Sequence, residues 1–536
     1  MTNTLFYGDN LHVLREHVKD ECVDLVYLDP PFNSNANYNI LFKSPDGHRS
    51  DAQIEAFEDT WHWNEKAEEA FDEVMRSGNV QAFELLRAMR GFLGENDMMA
   101  YLAMMAIRLL ELHRVLKPTG SLYLHCDPTA SHYLKVLLDG VFGPRLFRNE
   151  IIWKRTSSHN DASQGLSRFG KTHDVIFFYS RDKKPIWNLQ FSDYSEAYKK
   201  QHYSNIDKEG RRYKTSDLTA AKPGGDVSYE WMGVKPPQGR YWAYSKANMQ
   251  KFHDEGRLQY AAKSGMPRLK HYLEEMSGVP MGDIWDDIPP INSQAQERLG
   301  YPTQKPLTLL ERIISASSNE GDVVLDPFCG CGTAVHAAEK LNRQWIGIDV
   351  THLAIGLIEK RLTEAFPAIQ FEVKGRPQSL AAAQNLAQRD KHQFELWALS
   401  VVDAVPWQGG RRGPDGGIDG IIYFKPDGKR TEKAIVEVKG GGTGVKDIGR
   451  LAQVMEREKA PLGVFITAQN PTRAMERDAA SVGIWENELT GRKHSRLQIL
   501  TLAELFQGKR PDIPWVDASV LKKAKREDTS KQGKLL

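Results

Sequence analysis

Cysteine is scarce: four in 536 residues, at Cys22, Cys126, Cys329 and Cys331. None forms a CxxC pair or a metal-ligand spacing, which argues against a disulfide framework and a zinc finger. No run approaches the ~18 consecutive apolar residues of a membrane span, and the opening MTNTLFYGDN lacks a basic region followed by an apolar core. The expected location is cytoplasmic, with no membrane partner. Neither a GxxxxGK(S/T) loop nor an HExxH occurs, so ATP hydrolysis and zinc-protease chemistry lose support. Net charge is nearly absent too, with 71 Lys+Arg against 70 Asp+Glu. What is present is 40% hydrophobic residues over a length that suggests about three domains.

The first of these reads TLFYGD, then amphipathic LHVLREHV, then the apolar run CVDLVYL ending in DPPF: strand, helix, strand. Residues 44–100 are charged, have a helical period and read as an insert. Beyond them come the helical YLAMMAIRLLELHRVL and the turn-strand LKPTGSLYLHCD. The same rhythm returns at TLLERIISAS, GDVVLDPF, GTAVHAAEKL and RQWIGIDV. An α/β fold is expected, with a parallel sheet shared by two distant stretches and helices on both faces. Between the stretches, residues 151–271 carry 22 Lys/Arg against 12 Asp/Glu, interleaved with aromatics as in Trp153-Lys154-Arg155 and Arg240-Tyr241-Trp242. That composition suits nucleic acid, and equally a solvated basic surface around core aromatics. The stretch 378–392 reads as a helical linker, 393–510 as a further domain and 511–536 as a polar tail.

Asp29, Pro30, Pro31 and Phe32 stand where an apolar strand stops, the position at which open parallel sheets hold ligands. Consecutive prolines fix the backbone and remove N–H donors, leaving the Pro30 carbonyl as a rigid acceptor beside the Asp29 carboxylate. Two such acceptors suit an exocyclic amino group, with Phe32 stacked on its ring. A Pro-rich turn is the alternative. At Asp326–Thr333, DPFCGCGT follows another apolar strand, and Gly330 and Gly332 allow close backbone approach to a ligand. Val335 at the last glycine position departs from the dinucleotide fingerprint. The next strand ends in Asp349, placed to accept from two ribose hydroxyls. Further on, Glu437 and Lys439 share one strand face, and Asp419 enters the preceding strand. Asp419 and Glu437 could chelate Mg²⁺, with Lys439 polarising a phosphate. Asp415 competes with Asp419, which lies nearer the strand. His125 and His173 read as packing or substrate-side groups, Trp61 and Trp63 as core or DNA-facing aromatics, and Met98, Met99, Met104 and Met105 as core.

The first two motifs resemble the S-adenosylmethionine-dependent DNA amino-methyltransferases, over about two thirds of the chain. DPPF is similar to their catalytic motif and Asp326, Pro327, Phe328, Gly330, Gly332 and Thr333 to their cofactor loop. YPTQKP resembles the segment that holds the methionine end, implicating Thr303, Lys305 and Pro306, and GDNL implies Asp9 as a contact to the cofactor adenine. NEIIWKR and THDVIFFYS resemble later stretches of the same catalytic domain. A catalytic motif ahead of the cofactor loop implies the β class: a circularly permuted Rossmann-like sheet with an inserted target-recognition region. The implied organisation is a catalytic part at 1–150, recognition at 151–290 and a cofactor part at 291–377. DPPF favours adenine N6 over cytosine N4, and the lack of a Pro-Cys pair disfavours cytosine C5.

The third motif resembles the PD-(D/E)xK nuclease core, and DGGIDG and VFIT the Mrr-type restriction endonucleases, with Glu395 as an additional acidic residue. The joint implication is a restriction-modification enzyme acting on double-stranded DNA, with an α/β endonuclease-like domain needing Mg²⁺. Two alternatives stand beside it: a solitary methyltransferase with a non-cleaving DNA-binding module, and a DNA-binding regulator with a vestigial fold. A homodimer and a separate restriction subunit stay open as partners, the latter required for any ATP-driven cleavage.

Overall fold

The computed structural model describes residues 2–31, 38–43, 49–57, 63–156, 169–221, 227–292, 295, 297–299, 303–407, 417–427, 430–514 and 527, with backbone alone at 38–43, 49–57 and 353. Two compact units emerge, one made of 1–188 with 283–536 and the other of 189–282.

The larger unit holds a nine-stranded sheet. Its strands are β1 (Thr4–Tyr7), β2 (Val23–Leu28), β3 (Leu116–Cys126), β4 (Phe147–Lys154), β5 (His173–Ser180), β6 (Ile284–Trp285), β7 (Val323–Asp326), β8 (Gln344–Asp349) and β9 (Glu372–Lys374), in the order β6-β4-β5-β3-β2-β7-β8-β1-β9. All run parallel except β5, so the sheet is mixed rather than fully parallel. The two halves of the chain interleave in it: Val324 pairs with Leu25 and Thr4 with Ile346. Strands covered on both faces read as unbroken apolar runs, and β2 is buried at all six positions.

Helices α1 (Asn10–His17), α2 (Glu65–Arg76), α3 (Val80–Leu93), α4 (Asp97–Val115) and α5 (Ser131–Phe142) bury Val13, Phe71, Leu86, Leu109 and Leu137 in one core layer. Helices α6 (Leu307–Ser317), α7 (Thr333–Lys340) and α8 (His352–Ala365) bury Leu310, Ala337 and Ile358 in the other. The insert expected at 44–100 differs from its helical reading. Its start is extended, Tyr38–Lys43 pairing antiparallel with Arg49–Phe57. Helices α2 and α3 then join the main core, and the Arg90 guanidinium lies 4.6 Å over Trp63. Trp61 lies outside the described residues.

The same unit contains a five-stranded sheet in chain order: β10 (Val405–Pro406), β11 (Gly420–Phe424), β12 (Glu432–Lys439), β13 (Leu462–Thr467) and β14 (Leu497–Thr501). Helices α9 (Leu380–Arg389) and α10 (Lys391–Val401) bury Leu386, Phe394 and Trp397 on one face. Helices α11 (Val445–Arg457) and α12 (Arg473–Ser481) bury Leu451 and Met475 on the other. The Ala/Gln-rich stretch is thus a packed helix, with Ala383 and Ala387 inside that core.

The second unit is a four-stranded antiparallel sheet, ordered Leu258–Tyr260, Pro267–Tyr272, Arg212–Asp217, Asn205–Ile206, beside a cluster around Trp231, Trp242 and Met249. Several basic residues stack on its aromatics: the Arg211 guanidinium is 4.1 Å over Tyr272 and the Lys270 ammonium 5.3 Å over Tyr213. Among the described residues no helix is long and apolar enough to cross a membrane.

Leu86 is fully buried between α3 and the main core. Leu86→Ala is expected to lower the stability of the first unfolding transition by ~2–5 kcal/mol in a urea titration, a loss that a loosely attached insert would not show.

Candidate active site

A cavity of about 300 Å³ opens at the carboxyl ends of β1, β2, β7 and β8. On the β2 side stand Asp29, Pro30 and Pro31; Phe32 lies outside the described residues. One Asp29 oxygen pairs with the Lys305 ammonium, while Oδ1 is buried with no hydrogen-bond partner. Lys305 is 8% exposed and extends from the segment entering α6, where Pro306 takes the N-cap position and Thr303 also lines the cavity. Its ammonium also donates to the Thr303 carbonyl at 3.4 Å, holding the segment against Asp29.

The loop after β7 forms the opposite wall with Pro327, Phe328 and Gly330, and Thr333 continues it into α7. The Cys329 amide donates to the Ile348 carbonyl at 3.0 Å and the Gly330 amide to Asp349 Oδ2 at 2.9 Å. Gly332 has φ +75°, and a Cβ there would meet Ile358 at 2.7 Å, so only glycine lets this turn close. Asp349 Oδ1 accepts from the Thr351 amide and hydroxyl, both at 2.8 Å. Asp349 itself lines the cavity. Burial pushes Asp349 up to about 6, against the pull of the Thr351 and Gly330 donors. Asp326 accepts from the Phe328 amide at 3.0 Å, yet burial, with Asp29 and Asp349 beside it, pushes its carboxyl up to about 8.

Asp9 caps α1, accepting from the Leu11 amide at 2.9 Å, and its other oxygen pairs with Arg108 at 2.8 Å. Arg108 is 4% exposed and also donates to Asn10 Oδ1 at 2.7 Å and to the Met104 carbonyl at 2.9 Å. Asn10 in turn donates to the Pro327 carbonyl at 2.8 Å, tying α1 and α4 to the glycine loop. Sequence reading missed Arg108 and Asn10. The usable signal was a lone arginine inside the apolar run MAIRLL.

A second cluster lies in the five-stranded sheet. Asp419 immediately precedes β11, opposite Glu437 and Lys439 on β12. The Lys439 ammonium is 3.0 Å from Glu437 and 3.9 Å from Asp419. Asp419 Oδ2 accepts from the Val438 amide at 2.6 Å. Glu437 is fully buried, with neither oxygen in an aligned hydrogen bond, and that burial raises its carboxyl despite Lys439. Glu395 is half-buried on α10, and Asp415 lies outside the described residues. Among the described residues no group of three or more His, Cys, Asp or Glu side chains is arranged to hold a metal ion.

A carboxyl held protonated by the fold costs stability once the unfolded chain ionises. The folded state binds Asp326's proton up to about 8, the unfolded state only to its ordinary value of 3.8, so stability falls as pH rises between them. Asp326→Asn is expected to raise the thermal midpoint at pH 8 and to leave it nearly unchanged at pH 4, read by calorimetry.

Comparison with known proteins adds two family matches: residues 23–360 match the model of a DNA methylase family, and residues 397–507 that of the NACHT-associated inactive Restriction Endonuclease 1. The chain is 29% identical over 365 residues to the Type II methyltransferase M.EcaI of Enterobacter cloacae, covering 67% of this chain and 69% of that protein. It is 25% identical over 362 residues to the DNA adenine methyltransferase YhdJ of Escherichia coli, covering 68% and 83%. With the Mod subunit of the type III restriction-modification enzyme StyLTI of Salmonella typhimurium it shares 27% over 361 residues, 64% of this chain and half of that subunit.

Proposed function

The chain belongs to the DNA methylase family, and from that premise we propose that it methylates adenine N6 at a specific site in double-stranded DNA, using S-adenosylmethionine. The observation that carries this reading is Asp29, whose Oδ1 is a buried acceptor with no partner, in a residue that lines the same cavity as the glycine loop. An amino group is the donor that such an atom lacks. The adenine methyltransferase among the relatives supports N6 over cytosine N4.

S-adenosylmethionine, when bound, supplies an electrophilic methyl on a sulfonium. The Gly330–Thr333 backbone would lie against it, with Asp349 accepting from a ribose hydroxyl, Asp9 near the adenine, and Thr303, Lys305 and Pro306 at the methionine end. Asp29 and the Pro30 carbonyl would accept both N6 protons of the flipped base, aiming the nitrogen lone pair at the methyl, with Phe32 as stacking partner. The bound sulfonium would supply the methyl for N6, and the Asp29 carboxylate would take the surplus N6 proton. Residues 189–282, with their basic and aromatic pairs, are proposed as the DNA-reading part.

A second reading is favoured by the convergence of Asp419, Glu437 and Lys439: a Mg²⁺-dependent endonuclease of the PD-(D/E)xK kind in the C-terminal domain. The buried Glu437 carboxylate beside Asp419 is of the type that holds a divalent cation, which would activate water against a phosphodiester. The family matched there is described as inactive, so the two readings differ in outcome. Cleavage of plasmid DNA with Mg²⁺ that disappears in Lys439→Ala supports the nuclease; no cleavage of methylated or unmethylated DNA supports a non-cleaving module.

Asp29→Ala is expected to lower methyl transfer about 100-fold or more with cofactor affinity little changed. Mapping modified bases in DNA from expressing cells separates N6-methyladenine from N4-methylcytosine, and transfer retained by Asp29→Ala would sink the assignment. Affinity for the cationic cofactor should also rise between about pH 6 and 8 as Asp349 and Asp326 ionise. S-adenosylhomocysteine, without the sulfonium charge, should show a flatter profile by titration calorimetry.

A further inference from the structure

A buried polar chain beside the cavity has no part in the chemistry above. Tyr27 precedes Asp29 by two positions at the end of β2 and lines the same cavity. Its hydroxyl is 3.0 Å from His125 Nδ1, and His125 Nε2 is 3.3 Å from Asp174 Oδ2. The three residues sit on the neighbouring strands β2, β3 and β5 and are 2%, 0% and 1% exposed. Arg155 stands 3.4 Å from the other Asp174 oxygen.

The bonding sets a direction. A carboxylate only accepts, so the link to Asp174 is donated by His125 Nε2–H. Arg155 stands beside the other Asp174 oxygen, and we take the imidazole as neutral. Nδ1 is then a bare acceptor, and the Tyr27 hydroxyl must donate to it. The phenol has a single proton, which is committed to the protein interior.

We propose that the Tyr27 oxygen is a fixed hydrogen-bond acceptor at the methyl-transfer position, and that His125 and Asp174 are positioning residues that keep its proton turned away from the cavity. The inference rests on the methyltransferase reading. It adds a third acceptor to Asp29 Oδ1 and the Pro30 carbonyl, where positive charge passes from sulfur to nitrogen and where Lys305, paired with the other Asp29 oxygen, is the cationic group. A donor at that place would oppose the charge. Burial among Asp29, Asp326 and Asp174 also holds the phenol well above its ordinary ionisation range, so it keeps its one proton at working pH.

Asp174→Asn preserves volume and tests the direction. Arg155 claims the amide oxygen, the amide N–H then faces His125 Nε2, and the imidazole proton moves to Nδ1, where it donates to Tyr27. The phenol proton is released toward the cavity. With tritiated S-adenosylmethionine and unmethylated bacterial DNA, kcat should fall roughly 10–100-fold while KM for DNA and cofactor Kd stay within about twofold. Tyr27→Phe should also lose rate, and the double variant should be no slower than Tyr27→Phe alone. His125→Gln can donate to Asp174 and accept from Tyr27, so it should keep most of the rate that His125→Leu loses. An unchanged kcat in Asp174→Asn, multiplying losses in the double variant, or equal losses in the two His125 variants would overturn the proposal. Wild-type protein that transfers no methyl to DNA would instead overturn the function itself.

Discussion

The parallel pairing of β2 with β7 is the constraint on which the chemistry depends. It joins residues about 300 positions apart: the Val323 amide donates to Asp24 Oδ2 at 2.9 Å, and Lys117 neutralises the same buried carboxylate at 2.7 Å. With that junction closed, both strands end on one edge, bringing Asp29 and Asp326 to a single cavity. Two short apolar strands pay for little alone; both faces must be covered by helices before the edge is fixed in place.

The cavity so formed concentrates carboxylates in a site of low polarity. Asp29, Asp326 and Asp349 crowd together, with Lys305 on one and Arg108 reached through Asp9 on the rim. The strain shows in Asp326, pushed up to about 8, and Asp349, up to about 6. A cationic ligand would relieve that crowding, so the feature that costs the fold stability is one that would suit positive charge. Glu437 shows the same pattern in the second sheet, with a buried carboxylate balanced by Lys439 and, more weakly, Arg450.

Much of this was legible in the residues. DPPF and DPFCGCGT stood out because each follows an apolar run, and β2 ends just before Asp29 and β7 at Asp326. The extended pair within 38–57 was misread because of its charged composition, and α9 was taken for a linker because alanine gives no packing direction. Arg108 and Asn10 were missed since their partners lie on other elements. Lys305 was assigned to the methionine end by resemblance; its pairing with Asp29 depends on the path of the chain into α6.

The sequence by itself determined the two α/β sheets, the order of the motifs and the chemical type of each candidate group, because periodicity and strand-end residues are local properties. Tertiary structure alone decided which carboxylates share a cavity, which atom of Asp29 stays unpartnered, and that Tyr27, His125 and Asp174 form one buried chain. Those depend on distances between residues remote in the chain, and the energy of a buried charge or proton is set by its neighbours across the sheet rather than by its neighbours in sequence.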